Sequence, residues 1–163
     1  MKFVVSSTDL LSHLQSVSRV ISSKNTLPIL DNFLFRLQDG ILEITASDLE
    51  TTLITKMELQ NSTDSGVIAI PARILTDTLK EFPELPLSFE INLDNYNVVI
   101  NSENGQFTVT GQNGEEFPQI AKIKEDEKFS LELAGDVLYS GISKSIFATA
   151  DDELRPVMNG IYM

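Results

Sequence analysis

Few residues of this chain are of the types that enzymes use to make or break bonds. His13 is the only histidine, the chain has no cysteine, and it contains neither an HExxH motif nor a glycine-rich GK[ST] loop. Asp48 and Glu50 stand two residues apart in a predicted turn, and residues 151–153 form an acidic run. Paired carboxylates can hold a hard cation or transfer protons, but aspartate in a turn more often bonds to its own backbone. The sequence therefore predicts no catalytic residue, no metal ion and no cofactor.

A second group of residues has a chemistry suited to binding phosphate. Its members are Arg19, Lys24, Arg73, Lys80, Lys144 and Arg155. We expect them on the outer faces of helices or in adjoining loops, at equivalent places in successive repeats. Contacts of this kind give weak, sequence-independent and salt-sensitive binding to nucleic acid. No aromatic platform for stacking bases accompanies them, so base reading and single-strand binding are not expected.

The charge balance of the whole chain argues against nucleic acid, but its distribution does not. The net charge is −12, from 24 acidic and 12 basic residues, and an acidic surface repels phosphate. However, residues 10–30 contain no Asp or Glu, and Lys144 is the only charged residue in 137–150. These gaps coincide with the first and third predicted helices. Chance in serine-rich helices is one explanation, and a surface kept free of carboxylates because an anion passes it is the other.

The hydrophobic pattern predicts a β-α-β-β-β unit that occurs twice and begins a third time. In the first helix the apolar residues recur at helical spacing, at Leu10, Leu14, Val17 and Ile21. The strands show alternating apolar residues, and Asp39-Gly40 marks a tight hairpin turn. The units cover 2–59 and 66–110, and the third starts at 129. This order predicts an α+β fold with antiparallel sheets.

Residues 128–163 resemble a second, incomplete copy of residues 1–35. A numbering shift of 128 aligns Phe3 with Leu131, Leu10 with Leu138, Leu14 with Ile142, and Pro28–Phe33 with Pro156–Ile161. Repeat architectures normally need complete units to close a core, so we expect the chain to be the first part of a longer protein. The predicted organisation is a first domain over 1–112, a linker over 113–127 and the start of a second domain over 128–163.

The chain has no apolar stretch long enough to span a membrane and no signal peptide. Together with the missing cysteines, this favours a cytoplasmic protein that does not bind a membrane.

Four short motifs carry a resemblance to a known family. They are Thr26-Leu27-Pro28-Ile29-Leu30, Ser47-Asp48-Leu49-Glu50, Ile70-Pro71-Ala72-Arg73 and Phe117-Pro118. Their order and spacing resemble the N-terminal domain of the bacterial beta sliding clamps, the processivity subunits of DNA polymerase III. The resemblance runs from residue 1 to residue 163.

The resemblance implies the DNA-clamp fold, in which duplicated β-α-β-β-β units place helices on the inner face of a ring and antiparallel sheets outside. Two full-length chains of the family close head to tail around duplex DNA as a homodimer. The ring tethers the replicative polymerase during DNA replication and binds DNA without sequence specificity or catalysis. Polymerase and clamp-loader peptides dock between the second and third domains, and only Met158 of this chain borders that groove.

The resemblance also implies roles for individual residues. Lys24 and Arg155 match positions that contact DNA, although Pro156 and Val157 stand where the family often has aromatic residues. A dimer interface is implied for Ile74, Thr78, Phe107 and Val109. For Phe107 and Val109, an ordinary core strand is the alternative.

Two other functions remain open on the residues alone. A β-rich, non-enzymatic protein-interaction module is one alternative. The other is a hydrolase that uses Asp48 and Glu50.

Overall fold

Both complete repeats lie in the first of two units into which the chain divides, Met1–Ile120 (unit 1) and Ala121–Met163 (unit 2). The computed structural model describes residues 1–21, 27–103, 105–119, 130–150, 152 and 154–162. Lys24 therefore lies outside the described residues.

The first repeat has the predicted order of elements. They are β1 (Lys2–Ser6), α1 (Ser7–Ser18), a 3₁₀ helix (Pro28–Asp31), β2 (Asn32–Gln38), β3 (Ile41–Ser47) and β4 (Thr52–Glu58). Asp39 and Gly40 make the two-residue turn between β2 and β3, with φ of 51° and 79°. Both values are left-handed, as a tight hairpin requires, so this predicted turn is confirmed.

The second repeat follows a short strand and ends in another. Its elements are β5 (Ser62–Thr63), β6 (Gly66–Pro71), α2 (Ala72–Lys80), β7 (Pro86–Asn92), β8 (Asn97–Ser102), β9 (Gly105–Thr110), β10 (Gln112–Asn113) and a 3₁₀ helix (Gly114–Glu116). The sequence did not predict β5 or β10, because two-residue strands carry no readable alternation.

Each repeat gives its first strand to the sheet of the other repeat. β1 pairs antiparallel with β7, and β6 pairs antiparallel with β2. The resulting strand orders are β5-β1-β7-β8-β9 and β10-β6-β2-β3-β4. Neither sheet can form from one repeat alone. The edge strands are β5 and β9 in the first sheet and β10 and β4 in the second.

The hydrophobic core draws on both sheets and both helices. Phe3 on β1 and Phe89 on β7 stand opposite each other, and their rings stack with centroids 4.8 Å apart. The leucines that bring the helices into this core are Leu10, Leu14, Leu75 and Leu79, each at most 1% exposed. Complete burial of such a side chain stabilises the fold by about 1.5–3 kcal/mol.

A buried serine fixes the start of α1 relative to the second repeat. Ser7 Oγ donates a hydrogen bond to the carbonyl oxygen of Pro83 at 2.7 Å and accepts one from the amide of Leu85 at 3.1 Å. Both partners lie between α2 and β7. The polar atoms of this buried junction are therefore paired, as burial requires.

A second, smaller cluster lies apart from the main core and explains two of the sequence motifs. Leu30 of the 3₁₀ helix, Leu34 of β2 and Phe117 are buried together. Phe117 is therefore part of unit 1. So is Asn113, which pairs through β10 with Ile68 of β6, and the backbone of Gly114 runs so close to Val67 that a Cβ would not fit. The functional division of the chain at residue 112, with a linker over 113–127, stays a prediction.

Unit 2 contains α3 (Gly135–Ser145) and 3₁₀ helices at Ile146–Ala148 and Pro156–Asn159. The shift of 128 takes Ser7, where α1 begins, to Gly135, where α3 begins, and takes Pro28–Asp31 to Pro156–Asn159. The predicted strands around 129–134 and after residue 159 are wrong for the described residues 130–134 and 160–162. In unit 1 the equivalent strands exist because β7 and β6 supply hydrogen bonds, and the described part of unit 2 contains no strand to do so.

Candidate nucleic-acid interface

The outer face of α1 is small, polar and nearly free of acid. Its exposed residues after the first turn are Ser12, Gln15, Ser16 and Arg19. Asp9 lies in the first turn, where its Oδ1 is 3.8 Å from Nε2 of His13. Among the described residues, no carboxylate forms an ion pair with Arg19. The guanidinium of Arg19 is therefore available to an external anion.

The outer face of α2 carries two cations and one carboxylate. Lys80 Nζ donates a hydrogen bond to Asp77 Oδ1 at 3.0 Å, and Arg73 Nε lies 3.9 Å from Asp77 Oδ2. The Arg73 side chain is 95% exposed, and those of Asp77 and Lys80 are each more than half exposed. The face thus keeps a net positive charge, but both cations have an intramolecular partner.

These two faces adjoin. α1 and α2 contact each other, and both bury their leucines in the same core. The structure therefore brings three of the predicted phosphate-binding residues, Arg19, Arg73 and Lys80, to one side of unit 1.

The outward faces of the sheets, unlike the helix faces, carry acidic residues paired with lysines. Alternation along β3 buries Leu42 and Ile44 and turns Glu43 away from the core, where it pairs with Lys56 at 2.9 Å. On the other sheet Glu90 pairs with Lys2 at 3.4 Å. Acidic residues of the strands thus point away from the helices.

The candidates in unit 2 are also exposed. Lys144 lies in the last turn of α3, where a cation is favourable beside the helix carbonyls. Arg155 is 72% exposed, and its Nε donates to Asp152 Oδ2 at 2.8 Å. Val157, at 89%, and Met158, at 49%, are exposed next to it.

The edge strand β9 presents apolar side chains to solvent. Phe107 is 45% exposed and contacts Phe82 edge to face, with ring centroids 5.2 Å apart. Ile74 on α2 is 55% exposed, whereas Val109 is partly buried against the core. Among the described strands β9 pairs only with β8, so its other edge is open to pairing with a further strand. Phe107 thus lies exposed beside an open sheet edge, whereas Val109 belongs in part to the core.

The residues considered for catalysis have structural partners instead. Asp48 Oδ1 accepts hydrogen bonds from the amides of Glu50 and Thr51, at 3.0 and 2.7 Å, and so closes its own turn. His13 Nδ1 is hydrogen-bonded to Thr55 Oγ1 of β4. Asp151 and Glu153 lie outside the described residues. Within the part of the chain that the structure describes, no three His, Cys, Asp or Glu side chains are placed to hold a metal ion, and no helix is long and apolar enough to cross a membrane.

The comparison with known families agrees with this geometry. The family described as DNA polymerase III beta subunit, N-terminal domain, matches residues 1–121. The chain belongs to this family. The resemblance inferred from the four motifs is therefore confirmed.

Individual relatives and solved structures of the beta subunit family extend the match. The chain is 31% identical to the beta sliding clamp of Haemophilus influenzae and 29% identical to that of Vibrio cholerae, in each case over 99% of this chain. It spans 43% of the length of these relatives. DNA polymerase III subunit beta from Pseudomonas aeruginosa superposes with a TM-score of 0.87 at 27% identity, covering 98% of this chain and 42% of that one. The Bacillus subtilis sliding clamp gives a TM-score of 0.85 at 25% identity, over 96% and 42% of the two chains. The predicted DNA-clamp fold is confirmed.

Two features of the surface of unit 1 escaped the sequence analysis. The pairing of Asp77 with both cations of α2 was visible only as an i, i+4 and i, i+3 spacing, which does not show that the side chains meet. The contact between Phe82 and Phe107 joins residues on either side of β7 and β8, so no local pattern could have predicted it.

Proposed function

We propose that this chain is part of a DNA polymerase processivity factor, a non-catalytic subunit that encloses duplex DNA in a ring. The observation that carries the proposal is the pair of adjoining helix faces on unit 1. They hold Arg19, Arg73 and Lys80 in a chain whose net charge is −12. The family of the chain supports the same function. The comparisons do not favour an unrelated protein-interaction module.

Such a ring must keep the polymerase on the DNA without itself binding the DNA tightly. A polymerase that binds DNA weakly dissociates after few nucleotides, but a closed ring around the duplex can leave only at an end. The ring must still slide, so it contacts phosphates loosely and reads no bases. The hydroxyl groups of serine and the amide groups of glutamine, with isolated cations between them, are suited to such loose contacts.

Duplex DNA is the proposed ligand of the helix faces. The residues assigned to phosphate contact are Arg19, Lys24, Arg73, Lys80, Lys144 and Arg155. Exposure and charge support five of them, and Lys24 is assigned from its match to the family. Acidic residues on the outward faces of the sheets, such as Glu43, keep the repulsion of phosphate away from this side.

The edge strand β9 is the proposed ring-closing surface. Phe107, Val109, Ile74 and Thr78 would meet another subunit of the complete protein, which would add strands to the free edge of β9. The replicative polymerase and the clamp loader are the proposed protein partners, and the cytoplasm is the proposed location.

Retention on DNA circles tests the proposed enclosure. The complete product of the gene that encodes this chain is loaded onto a nicked circular duplex, and the bound fraction is measured by gel filtration before and after the circle is cut once. We expect the protein to stay on the circle and to leave once ends are available, because enclosure rather than affinity retains it. Equal retention on circular and linear DNA would rule out enclosure.

A further inference from the structure

Three of the five described candidate cations share one feature, an ion pair with an aspartate of the same chain. Asp77 pairs with Arg73 and Lys80, and Asp152 pairs with Arg155. In each case the aspartate lies three or four residues away along the chain. Arg19 on the neighbouring face has no such partner among the described residues. The pattern thus occurs in both units but not at every cation.

We propose that Asp77 is a positioning residue that weakens the contact between α2 and DNA and so keeps the ring mobile. This inference rests on the proposed function. A phosphate oxygen that approaches Lys80 must compete with Asp77 Oδ1, which already accepts a hydrogen bond from Lys80 Nζ at 3.0 Å. Asp77 also lies within 3.9 Å of Arg73. One carboxylate therefore opposes both phosphate contacts of the helix.

The competition matters for sliding as well as for affinity. When a phosphate leaves, the ion pair with Asp77 forms again, so the lysine is never left without a partner. The difference in energy between a lysine on a phosphate and a lysine between phosphates is correspondingly small. A small difference means a low barrier at each step along the duplex.

The ordinary explanation of such a triplet is support for the helix itself. Exposed pairs at i, i+3 and i, i+4 stabilise an isolated helix only weakly. A purely structural Asp77 would, on removal, make α2 slightly less stable and leave DNA binding unchanged. An opposing Asp77 would, on removal, make DNA binding tighter, so the two roles predict different results.

The experiment compares Asp77→Asn with a matched control on the opposite face. Glu43→Gln removes the same charge and releases a lysine, Lys56, from an ion pair at 2.9 Å, but on the outward side of a sheet. The 163-residue chain is titrated at low ionic strength with a short DNA duplex, and binding is followed by the NMR shifts of its backbone amides. This measurement detects the weak affinities expected for non-specific contacts.

We expect Asp77→Asn to tighten binding about two- to fivefold, the range set by the strength of exposed ion pairs. The amides of α2 should shift most, and the gain should shrink as salt is raised. Adding Lys80→Ala to Asp77→Asn should remove most of the gain. Equal gains for Asp77→Asn and Glu43→Gln would overturn the inference, because net charge alone would then explain them.

The remaining outcomes separate this inference from the proposed function. If Lys80→Ala weakens binding but Asp77→Asn does not tighten it, α2 contacts DNA and the role of Asp77 is wrong. If the wild-type chain and every variant fail to shift with duplex, both the role of Asp77 and the DNA-facing assignment of α2 are wrong.

Discussion

Replacing Phe107 by alanine should open the proposed ring at the subunit interface that we assign to β9. The side chain is 45% exposed in this chain, and a phenylalanine covers about 150–250 Å² when fully buried, so roughly 70–110 Å² remains for a partner subunit to cover. At about 25 cal/mol per Å², that area contributes roughly 1.7–2.8 kcal/mol to each interface. Two chains that close head to tail share two such interfaces, so dissociation of the dimer loses roughly 3.4–5.6 kcal/mol of this contribution and its dissociation constant should rise roughly 300- to 10,000-fold.

The same substitution should have a smaller effect on folding. Within the chain Phe107 loses only its edge-to-face contact with Phe82, at 5.2 Å, and its packing on one side. Such an aromatic pair contributes about 0.5–1.5 kcal/mol beyond its buried area. Unit 1 should therefore remain folded in Phe107→Ala while the dimer dissociates.

The assay is sedimentation velocity of the complete gene product over a range of concentrations. Thr108→Ala is the matched control, because Thr108 is exposed on the same strand but points to the opposite face of the sheet. We expect the control to dimerise as the wild type does. An unchanged dissociation constant for Phe107→Ala, with unit 1 folded by circular dichroism, would refute the assignment of β9 to the interface.

Four further substitutions test the core, the proposed contact of Lys24 with DNA and the packing of two glycines. Phe3→Ala should lower the free energy of unfolding, measured with urea, by about 3–5 kcal/mol, because the ring is 2% exposed and stacks on Phe89. A loss below about 1 kcal/mol is typical of surface sites and would contradict the strand exchange. Lys24→Glu should reduce the fraction of complete protein retained on nicked circles at low salt without changing its melting temperature, and an unchanged fraction would reject the assigned contact. Gly114→Ala should destabilise unit 1, because a Cβ there would stand 2.6 Å from Val67 Cγ1. Gly141→Ala in α3 places a Cβ that meets nothing within 4 Å, so it should stabilise the helix by about 0.5–1 kcal/mol. Thermal unfolding of both variants checks these opposite signs.

The sequence predicted those parts of the fold that depend on local periodicity. Leu10, Leu14 and Val17 are buried at helical spacing, as expected, and the shift of 128 places the start of α3 correctly. The exchange of β1 and β6 between sheets was not predictable, because alternation shows which side of a strand is buried but not which strand lies beside it.

The candidate site was predicted in part, and for a similar reason. The outward positions of Arg73 and Lys80 follow from the apolar positions Leu75 and Leu79, and both cations are exposed as expected. Whether a cation is free depends on side-chain geometry, which spacing alone does not determine. The roles of these residues in DNA contact, and of Ile74, Thr78, Phe107 and Val109 in dimerisation, stay predictions that the experiments above address.

The exchange of first strands has a consequence for any attempt to divide the molecule. A peptide that ended between β5 and β6 would carry β1 without β7, and its stacked partner for Phe3 would be on the missing half. Two such halves, mixed in equal amounts, should each be poorly folded alone and should reassemble by complementation. A lone β-α-β-β-β module could satisfy its own first strand only by swapping it with an identical copy, so the smallest self-sufficient form of this architecture is a pair.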